Sequence, residues 1–376
     1  MPLHLLLALS LALPADTSAD TTYYVTNRAR HDGRLDRARG DSLEFGLIVT
    51  RFVRHAGEPA TDPISGPLSG RQDDSVHLSR GEFLARLRAA DARAETVGEG
   101  ALLYVHGYGT SFRRGLAQGT EIAHRGRFAG PMVVFSWPAH RAFMSWPSLG
   151  ALLSGVYRDD ARSAAESEES FRAALDVVLV ATRHRALTVV GHSLGAQLIA
   201  EALRVPSPVR DALVLSPLHA LVFFAPDISA ERFRDSLAAP LAALADRRIV
   251  YASAVDKMLG LSRLVNHSPR AGQASGAQLL TAADVEVVDV TEGRRTRSAM
   301  RTLFDPRHAM RYAESALYDF FGVVRGVSAD CRAMEGIAVR MGERRWRLTH
   351  APIPAHALPC LAASATVTEG AGEPPG

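Results

Sequence analysis

The segment Gly191-His192-Ser193-Leu194-Gly195 carries the clearest chemical signal in this sequence. It follows the β-branched run Leu187–Val190, which predicts a buried strand, and precedes Ala196–Leu203, whose apolar spacing predicts an amphipathic helix. A G-x-S-x-G pentapeptide between a strand and a helix places its serine on a sharp turn above a helix N-terminus. Ser193 is therefore the candidate nucleophile.

A serine nucleophile needs a base to accept its proton and an acid to orient that base. In one common arrangement the partners follow in the order serine, acid, histidine, each after a later strand. Asp227 follows the predicted strand Leu221–Phe224, and Asp256 follows Ile249–Ala252. The commonest acid position is after the second strand beyond the serine, which favours Asp256 and leaves Asp227 as the alternative. Either aspartate could instead only cap the next helix.

The candidate base is His308. Four histidines follow the candidate acid, and they differ in their position relative to the predicted strands. His267 comes too early in the strand order, and His350 and His356 belong to a C-terminal extension. Only His308 comes just after the last predicted core strand, where a catalytic histidine would approach the serine.

An oxyanion hole needs two backbone N–H donors beside the nucleophile. Leu194, the residue after the serine, supplies one candidate. The glycine-rich turn His106-Gly107-Tyr108-Gly109, which follows the predicted strand Ala101–Val105, supplies Tyr108 as the other. His106 is expected to order this turn rather than to transfer protons.

Strands and helices alternate along the chain, which predicts a mainly parallel sheet with helices on both faces. A β-hairpin is predicted beyond Gly326 around Gly342-Glu343. The predicted strands are Thr21–Thr26, Phe45–Val53, Ala101–Val105, Met132–Phe135, Leu187–Val190, Leu221–Phe224, Ile249–Ala252 and Val285–Val290, and the main predicted helices are Ser111–Arg127, Arg162–Arg183, Ala196–Leu203 and Arg307–Phe321.

The composition is that of a globular protein. Of 376 residues, 47% are hydrophobic and 22% are charged, and the formal net charge is +3. Lys257 is the only lysine, and no dense run of basic residues occurs, so a nucleic-acid partner is not predicted. The composition does not predict an oligomeric state.

The N-terminus resembles a secretory signal peptide. Leu3–Ala15 is apolar and too short to span a bilayer, and small residues follow it, with Ala15 and Ala19 as candidate cleavage sites. Its weak feature is the scarcity of positive charge before the apolar run. We expect residues 1–19 to be a signal peptide and the protein to be exported, either to the periplasm or out of the cell. Without export, we expect it to be cytoplasmic. No later segment predicts a transmembrane span.

The two cysteines, Cys331 and Cys360, form a disulfide in one interpretation and are unpaired in the other. Neither has a histidine or cysteine at zinc-ligand spacing, so the sequence predicts no metal site. The proposed serine chemistry requires no cofactor.

The sequence resembles the α/β-hydrolases, and more narrowly a bacterial family of uncharacterised α/β-hydrolases of esterase/lipase type. The resemblance runs from Tyr24 to about Phe321. At His308-Ala309-Met310 the sequence departs from the family, which has a serine and an aromatic residue after the histidine. The segments that carry the resemblance are Tyr24–Arg28, His106–Phe112, Phe135–Pro138, Tyr157–Asp160, the Ser193 pentapeptide, Ala225–Ile228 and Ser253–Lys257.

The resemblance implies an α/β-hydrolase fold, which we assign to residues 20–326. The sequence that follows, at 327–376, predicts an extension with a hairpin and a disordered tail, which is particular to this chain. The resemblance also implies a serine hydrolase that cleaves small-molecule or lipid esters with Ser193, His308 and Asp256. An amidase, peptidase or acyltransferase with the same triad is an alternative. A non-catalytic, envelope-associated binding protein of the same fold is another.

Overall fold

The computed structural model describes residues 17–53, 69–139, 155–278, 280, 284–292, 314–334, 336 and 338–349. Its strands are β1 Thr17–His31, β2 Arg34–Val53, β3 Ser69–Gln72, β4 Val76–Leu78, β5 Ala101–Val105, β6 Met132–Ser136, β7 Leu187–His192, β8 Leu218–Phe224, β9 Ala245–Ala252, β10 Glu286–Asp289, β11 Ala338–Gly342 and β12 Arg345–Leu348. Its helices are α1 Arg80–Glu95, α2 Phe112–Arg125, α3 Val156–Glu166, α4 Glu168–Ala181, α5 Leu194–Arg204, α6 Pro208–Leu215, α7 Ala230–Arg232, α8 Ala238–Ala242, α9 Lys257–Asn266, α10 Ala274–Ala277, α11 Glu314–Val324 and α12 Ala329–Met334. A 3-10 turn at His184–Ala186 and a π turn at Phe233–Leu237 complete the described elements.

All twelve strands belong to one sheet with the order β11-β12-β10-β9-β8-β7-β5-β6-β1-β2-β3, and β4 pairs with β2. Every neighbouring pair from β12 to β1 is parallel. The antiparallel strands lie at the two edges, β2 to β4 at one and β11 at the other. The predicted mainly parallel sheet is confirmed.

Helices cover both faces of the sheet, as predicted. On one face, Phe83 of α1, Phe171 of α4 and Leu198 of α5 pack with Val189 of β7. On the other face, the core includes Val190, the next residue of β7, together with residues of α2 and α11. Because successive side chains of a strand point to opposite faces, a strand buried on both sides is apolar throughout. This explains why the central strands could be recognised from their sequence.

The carboxyl ends of the central strands β5, β7 and β8 come level at one edge of the sheet. In the register of the sheet, Val105 lies beside Gly191, and His192 lies beside Phe224. The chain runs from β5 to β6 on one side and then crosses to β7 on the other side. Ligands of open α/β sheets bind outside the carboxyl ends of the strands at such a switch point.

The first two strands are longer than predicted. They form a hairpin that turns at Asp32-Gly33, where both residues have positive φ angles of 48° and 75°. An Asp-Gly pair with two positive φ angles is typical of a tight two-residue hairpin turn. The residues near the hairpin turn are polar, so the full length of the two strands was not predicted, although the Asp-Gly pair indicated a turn.

Helix α1 was not predicted, because few of its residues are large and apolar. Its start carries a capping box, in which the Ser79 hydroxyl accepts from the Glu82 backbone N–H and the Glu82 carboxylate accepts from the Ser79 backbone N–H. Such a serine and glutamate three residues apart mark a helix start. This local signal could have revealed the helix.

The single helix predicted over Arg162–Arg183 is two helices, α3 and α4, separated at Ser167. The buried Ser167 hydroxyl donates to the Ser163 carbonyl oxygen at 2.7 Å and accepts from Asn27 Nδ2 at 3.0 Å. Serine hydroxyls that bond the backbone of the preceding turn often bend or interrupt helices. The partner residue in β1 is far away in sequence, so the break was not predictable.

The C-terminal hairpin is present and turns at Glu343-Arg344, one residue later than predicted. Its second strand, β12, pairs in parallel with β10, so the hairpin extends the main sheet. Trp346 in β12 is buried. Cys331 in α12 is also buried and is disulfide-bonded, whereas Cys360 and the predicted tail lie outside the described residues.

The predicted leader lies outside the described residues up to position 16, and its last three positions are the first residues of β1. The last predicted helix begins, in the part that the structure describes, at Glu314. Among the described helices, none combines the length and apolar character that a membrane crossing requires.

Candidate active site

Ser193 occupies the turn between β7 and α5. Its backbone angles are φ 53° and ψ −118°, a conformation that residues with a side chain rarely adopt. Its N–H donates to the Phe224 carbonyl oxygen at 3.0 Å, and its carbonyl oxygen accepts from the Ala196 N–H at 3.0 Å. Strain of this kind costs about 1–3 kcal/mol and persists at functional sites where the surrounding structure fixes it. The geometry is that of a nucleophile elbow.

The two glycines of the pentapeptide are needed for close packing. A Cβ atom on Gly191 would lie 2.6 Å from Ala196 Cα. A Cβ atom on Gly195 would lie 2.4 Å from the carbonyl oxygens of Val105 and His106. Any side chain at either position would therefore push the turn away from β5 or from its own helix.

The glycine-rich turn after β5 lies directly against the nucleophile. A Cβ atom on Gly107 would lie 2.9 Å from Ser193 Cβ. The Gly109 N–H is held by the buried Asp160, whose Oδ2 accepts from it at 2.8 Å. Leu194 opens α5, and the first N–H groups of a helix have no partner within it. The segments that carry the Tyr108 and Leu194 amides thus meet beside Ser193.

The side chain of His106 holds this turn in place. Its ring stacks on Trp137 with centroids 5.2 Å apart, and its Nδ1 lies 3.1 Å from the Gly107 carbonyl oxygen. Its Nε2 lies 3.2 Å from Ser136 Oγ. Burial, together with the nearby charge of Arg28, lowers the pKa of His106 to about 3, so the ring is neutral at physiological pH. A neutral ring with its proton on Nδ1 satisfies both contacts and positions the turn.

Arg28 is a further organiser of the site, and the sequence reasoning assigned it no role. Its guanidinium is fully buried and donates to Ser136 Oγ at 3.2 Å, to the Thr110 carbonyl oxygen at 3.1 Å and to the Trp137 carbonyl oxygen at 2.5 Å. Ser136 is the last residue of β6, and the Thr110 and Trp137 carbonyls lie in the segments that follow β5 and β6. The sequence signals were an arginine two residues after the predicted strand Thr21–Thr26 and its place in the segment Tyr24–Arg28, which carries the family resemblance.

The predicted acid, Asp256, follows β9 and forms the N-cap of α9. Its Oδ1 accepts from the Leu259 N–H at 3.0 Å. Burial is the main reason that the pKa of Asp256 is raised to about 6, and the negative charge of Asp227 contributes in the same direction. The two candidate acids therefore lie close enough for their charges to interact.

The alternative acid, Asp227, follows β8 and is almost completely buried. Its backbone N–H donates to the Ser193 carbonyl oxygen at 3.3 Å. Its carboxylate accepts hydrogen bonds from Tyr157, Ser262 and Arg270. Sequence reasoning gave none of these three partners a role, because they lie far from Asp227 in the sequence.

The predicted base, His308, lies outside the described residues, which resume with Glu314 in α11. Its assignment stays a prediction, and the structure does not test the triad as a unit. In the described part of the chain, no group of three or more His, Cys, Asp or Glu side chains is arranged to hold a metal ion.

Comparisons with known proteins agree with this fold. The model of the family described as "alpha/beta hydrolase of unknown function (DUF900)" matches residues 90–303, more than half of the chain. The match spans β5 to β10, and so includes the Ser193 turn, Asp227 and Asp256. No curated protein matches.

Several solved structures are similar at low identity. A putative carboxylesterase from Lactobacillus plantarum is 11% identical, with 84% of this chain and 100% of that chain covered and a TM-score of 0.32. Fungal esterases from Rhizomucor miehei are represented at 12% identity, 85% and 87% coverage and a TM-score of 0.28. Brefeldin A esterase, a bacterial homologue of human hormone-sensitive lipase, is 14% identical, with 87% and 80% covered and a TM-score of 0.31. Similarity at this level does not identify the substrate of this chain. From the family match, the chain belongs to the DUF900 family of alpha/beta hydrolases.

Proposed function

We propose that this alpha/beta hydrolase is a serine esterase that acts through an acyl-enzyme. The observation that carries the proposal is the strained turn at Ser193, with φ 53°, packed against the glycine turn at Gly107. Together these features present a hydroxyl and backbone donors to one point, which is what acyl transfer requires. The substrate would be a small-molecule or lipid ester.

In the proposed mechanism, Ser193 Oγ attacks the acyl carbon while His308 accepts its proton. Asp256 orients the imidazole and stabilises its charged form, which needs Asp256 to be ionised. The Leu194 and Tyr108 N–H groups stabilise the oxyanion. His308 then protonates the leaving alcohol, and water, activated by the same histidine, releases the acid. Side chains and water suffice for these steps.

The test is covalent labelling with a fluorophosphonate, which reacts with an activated serine. We expect the wild-type protein to be labelled and Ser193→Ala not to be labelled. Ser79→Ala is the matched control, because Ser79 caps α1 and takes no part in the proposed site. Absence of Ser193-dependent labelling at every pH between about 6 and 9 would overturn the enzyme proposal, since an activated serine reacts in this range.

The substrate class is tested with p-nitrophenyl esters of short and long acyl chains. Turnover that disappears in Ser193→Ala supports the esterase. Labelling without turnover of any ester would instead favour an amidase, peptidase or acyltransferase that uses the same residues. We also propose that the protein is exported. This is checked by N-terminal sequencing of the mature protein recovered from its own host, where cleavage near Ala15 or Ala19 is expected.

A further inference from the structure

The backbone at Asp227 is fixed to the turn that carries the nucleophile. Its N–H donates to the Ser193 carbonyl oxygen at 3.3 Å, and the Ala225 that precedes it by two residues has a positive φ of 45°. A Cβ atom on Gly272 would lie 2.4 Å from the Ala225 carbonyl carbon, so this part of the chain is also closely packed against Gly272. A displacement of Asp227 would therefore be transmitted to the Ser193 turn.

The carboxylate of Asp227 is held on both of its oxygens. Oδ1 accepts from Ser262 Oγ at 2.6 Å and from Arg270 Nε at 2.7 Å, and Oδ2 accepts from the Tyr157 hydroxyl at 2.8 Å. Arg270 also donates to the Asp227 carbonyl oxygen at 2.6 Å. A carboxylate has about four acceptor positions, so protein donors occupy most of them. A carboxylate held in this way is better suited to fix the positions of its partners than to orient an imidazole. We call Asp227 together with Tyr157, Ser262 and Arg270 the bracket.

The donors to Asp227 belong to elements that carry other parts of the proposed site. Tyr157, in the first turn of α3, places its ring 6.0 Å from the ring of Tyr108, whose backbone N–H is a predicted oxyanion donor. Ser262 lies in α9, the helix that Asp256 caps. Asp227 thus contacts the nucleophile turn through its backbone N–H, and its carboxylate is bonded to Tyr157 beside the oxyanion turn and to the helix that begins at the predicted acid.

The Asp227–Arg270 ion pair is buried, with side chains 4% and 6% exposed. A buried ion pair gives little net stability, because the loss of hydration offsets most of the attraction. Its effect on geometry is larger, since five hydrogen bonds with defined directions meet at Asp227. The pair is therefore better explained by the arrangement it imposes than by the stability it adds.

Building on the proposed esterase function, we propose that Asp227 is a positioning residue. It fixes Ser193, the Tyr108 turn and α9 relative to one another, and Asp256 remains the residue that orients the base. Tyr157 is the part of this bracket that reaches the oxyanion turn. Neither residue contacts the substrate in this proposal.

The test measures the second-order rate constant for fluorophosphonate labelling of Ser193 as a function of pH. The variants are Asp227→Asn, Tyr157→Phe, their combination and Asp256→Asn. Tyr23→Phe is the matched control, since it also removes one hydroxyl, which donates to the Arg86 carbonyl oxygen away from the site. We expect Asp227→Asn and Tyr157→Phe to react about 10- to 100-fold more slowly, because small misplacements of reacting groups have effects of this size.

The pH profile separates positioning from catalysis. Asp227→Asn and Tyr157→Phe are expected to keep the wild-type midpoint of the pH profile, whereas Asp256→Asn is expected to shift it. The double variant should react no more slowly than Asp227→Asn, because both changes break the same network. Tyr157→Phe keeps the aromatic ring, so this variant tests the positioning role if Asp227→Asn does not fold.

Three results would overturn the proposal. Wild-type labelling rates in both Asp227→Asn and Tyr157→Phe would show that the bracket is not needed for reactivity. A shifted midpoint in Asp227→Asn, with the midpoint unchanged in Asp256→Asn, would make Asp227 the acid. Absence of labelling in the wild type would refute the proposed esterase function, and this proposal with it. That result is distinguishable from the first two, because in both of those the wild type is labelled.

Discussion

Asp256→Asn is expected to stabilise the protein at pH 8 while it slows the reaction of Ser193. The Asp256 carboxyl is buried enough that its pKa rises from 3.8 to about 6, so the folded protein holds an ionised group in an unfavourable position at pH 8. Asparagine caps a helix about as well as aspartate does. The substitution therefore removes the unfavourable charge and keeps the hydrogen bond to the Leu259 N–H.

The size of the effect follows from the pKa difference. A shift of about 2 pKa units corresponds to about 3 kcal/mol of unfolding free energy, at about 1.4 kcal/mol per unit. This is an upper bound, because the carboxyl keeps some contact with solvent. The sign is that of a group whose folded pKa is raised: the penalty is fully present above pH 6 and disappears as the pH falls toward 3.8.

The assay is urea denaturation of wild type and Asp256→Asn at pH 8 and pH 5. We expect the stabilisation at pH 5 to be about half of its value at pH 8, because the native carboxyl is largely protonated there. Asp211→Asn is the matched control, since Asp211 lies exposed on α6 and its replacement should change stability by less than about 0.5 kcal/mol at either pH. Equal or lower stability of Asp256→Asn at pH 8, or a gain that does not depend on pH, would refute the reasoning.

Other substitutions have defined expectations in the same denaturation assay. Ser193→Gly should be about 1 kcal/mol more stable than Ser193→Ala, because glycine adopts the positive φ without strain; equal stability would contradict that strain. Gly195→Ala should destabilise by about 2 kcal/mol or more, since the new methyl meets two backbone carbonyls that cannot move aside, and an unchanged midpoint would exclude that packing. Arg332→Met should destabilise by about 3–5 kcal/mol, because it leaves the buried Asp319 carboxylate without its cation, and a neutral effect would show that the pair is replaceable. Ser79→Ala should lose about 1 kcal/mol through its helix cap and leave labelling at Ser193 unchanged, which circular dichroism and the fluorophosphonate assay can check together.

Much of the fold could be predicted because its signals are local. The central strands are buried on both faces, so their sequences are continuous apolar runs, and their alternation with helices indicates a parallel sheet. The elements that were predicted incorrectly have a weak apolar pattern or depend on residues far away in the sequence. Helix α1 has too few large apolar residues to show a clear helical period, and the break at Ser167 depends on Asn27 in β1.

The Ser193 turn could be predicted from the local sequence, because strand, glycines, serine and helix are contiguous and the conformation depends on near neighbours. Strand order favoured Asp256 over Asp227, although both are aspartates that follow a strand and precede a helix. Only the tertiary structure shows the partners of Asp227, which are 70 residues before it at Tyr157 and 43 residues after it at Arg270. Arg28 became part of the site in the same way, through a carbonyl 109 residues away. Side chains that organise a site by such long-range hydrogen bonds leave no local pattern, because the fold alone brings their partners together.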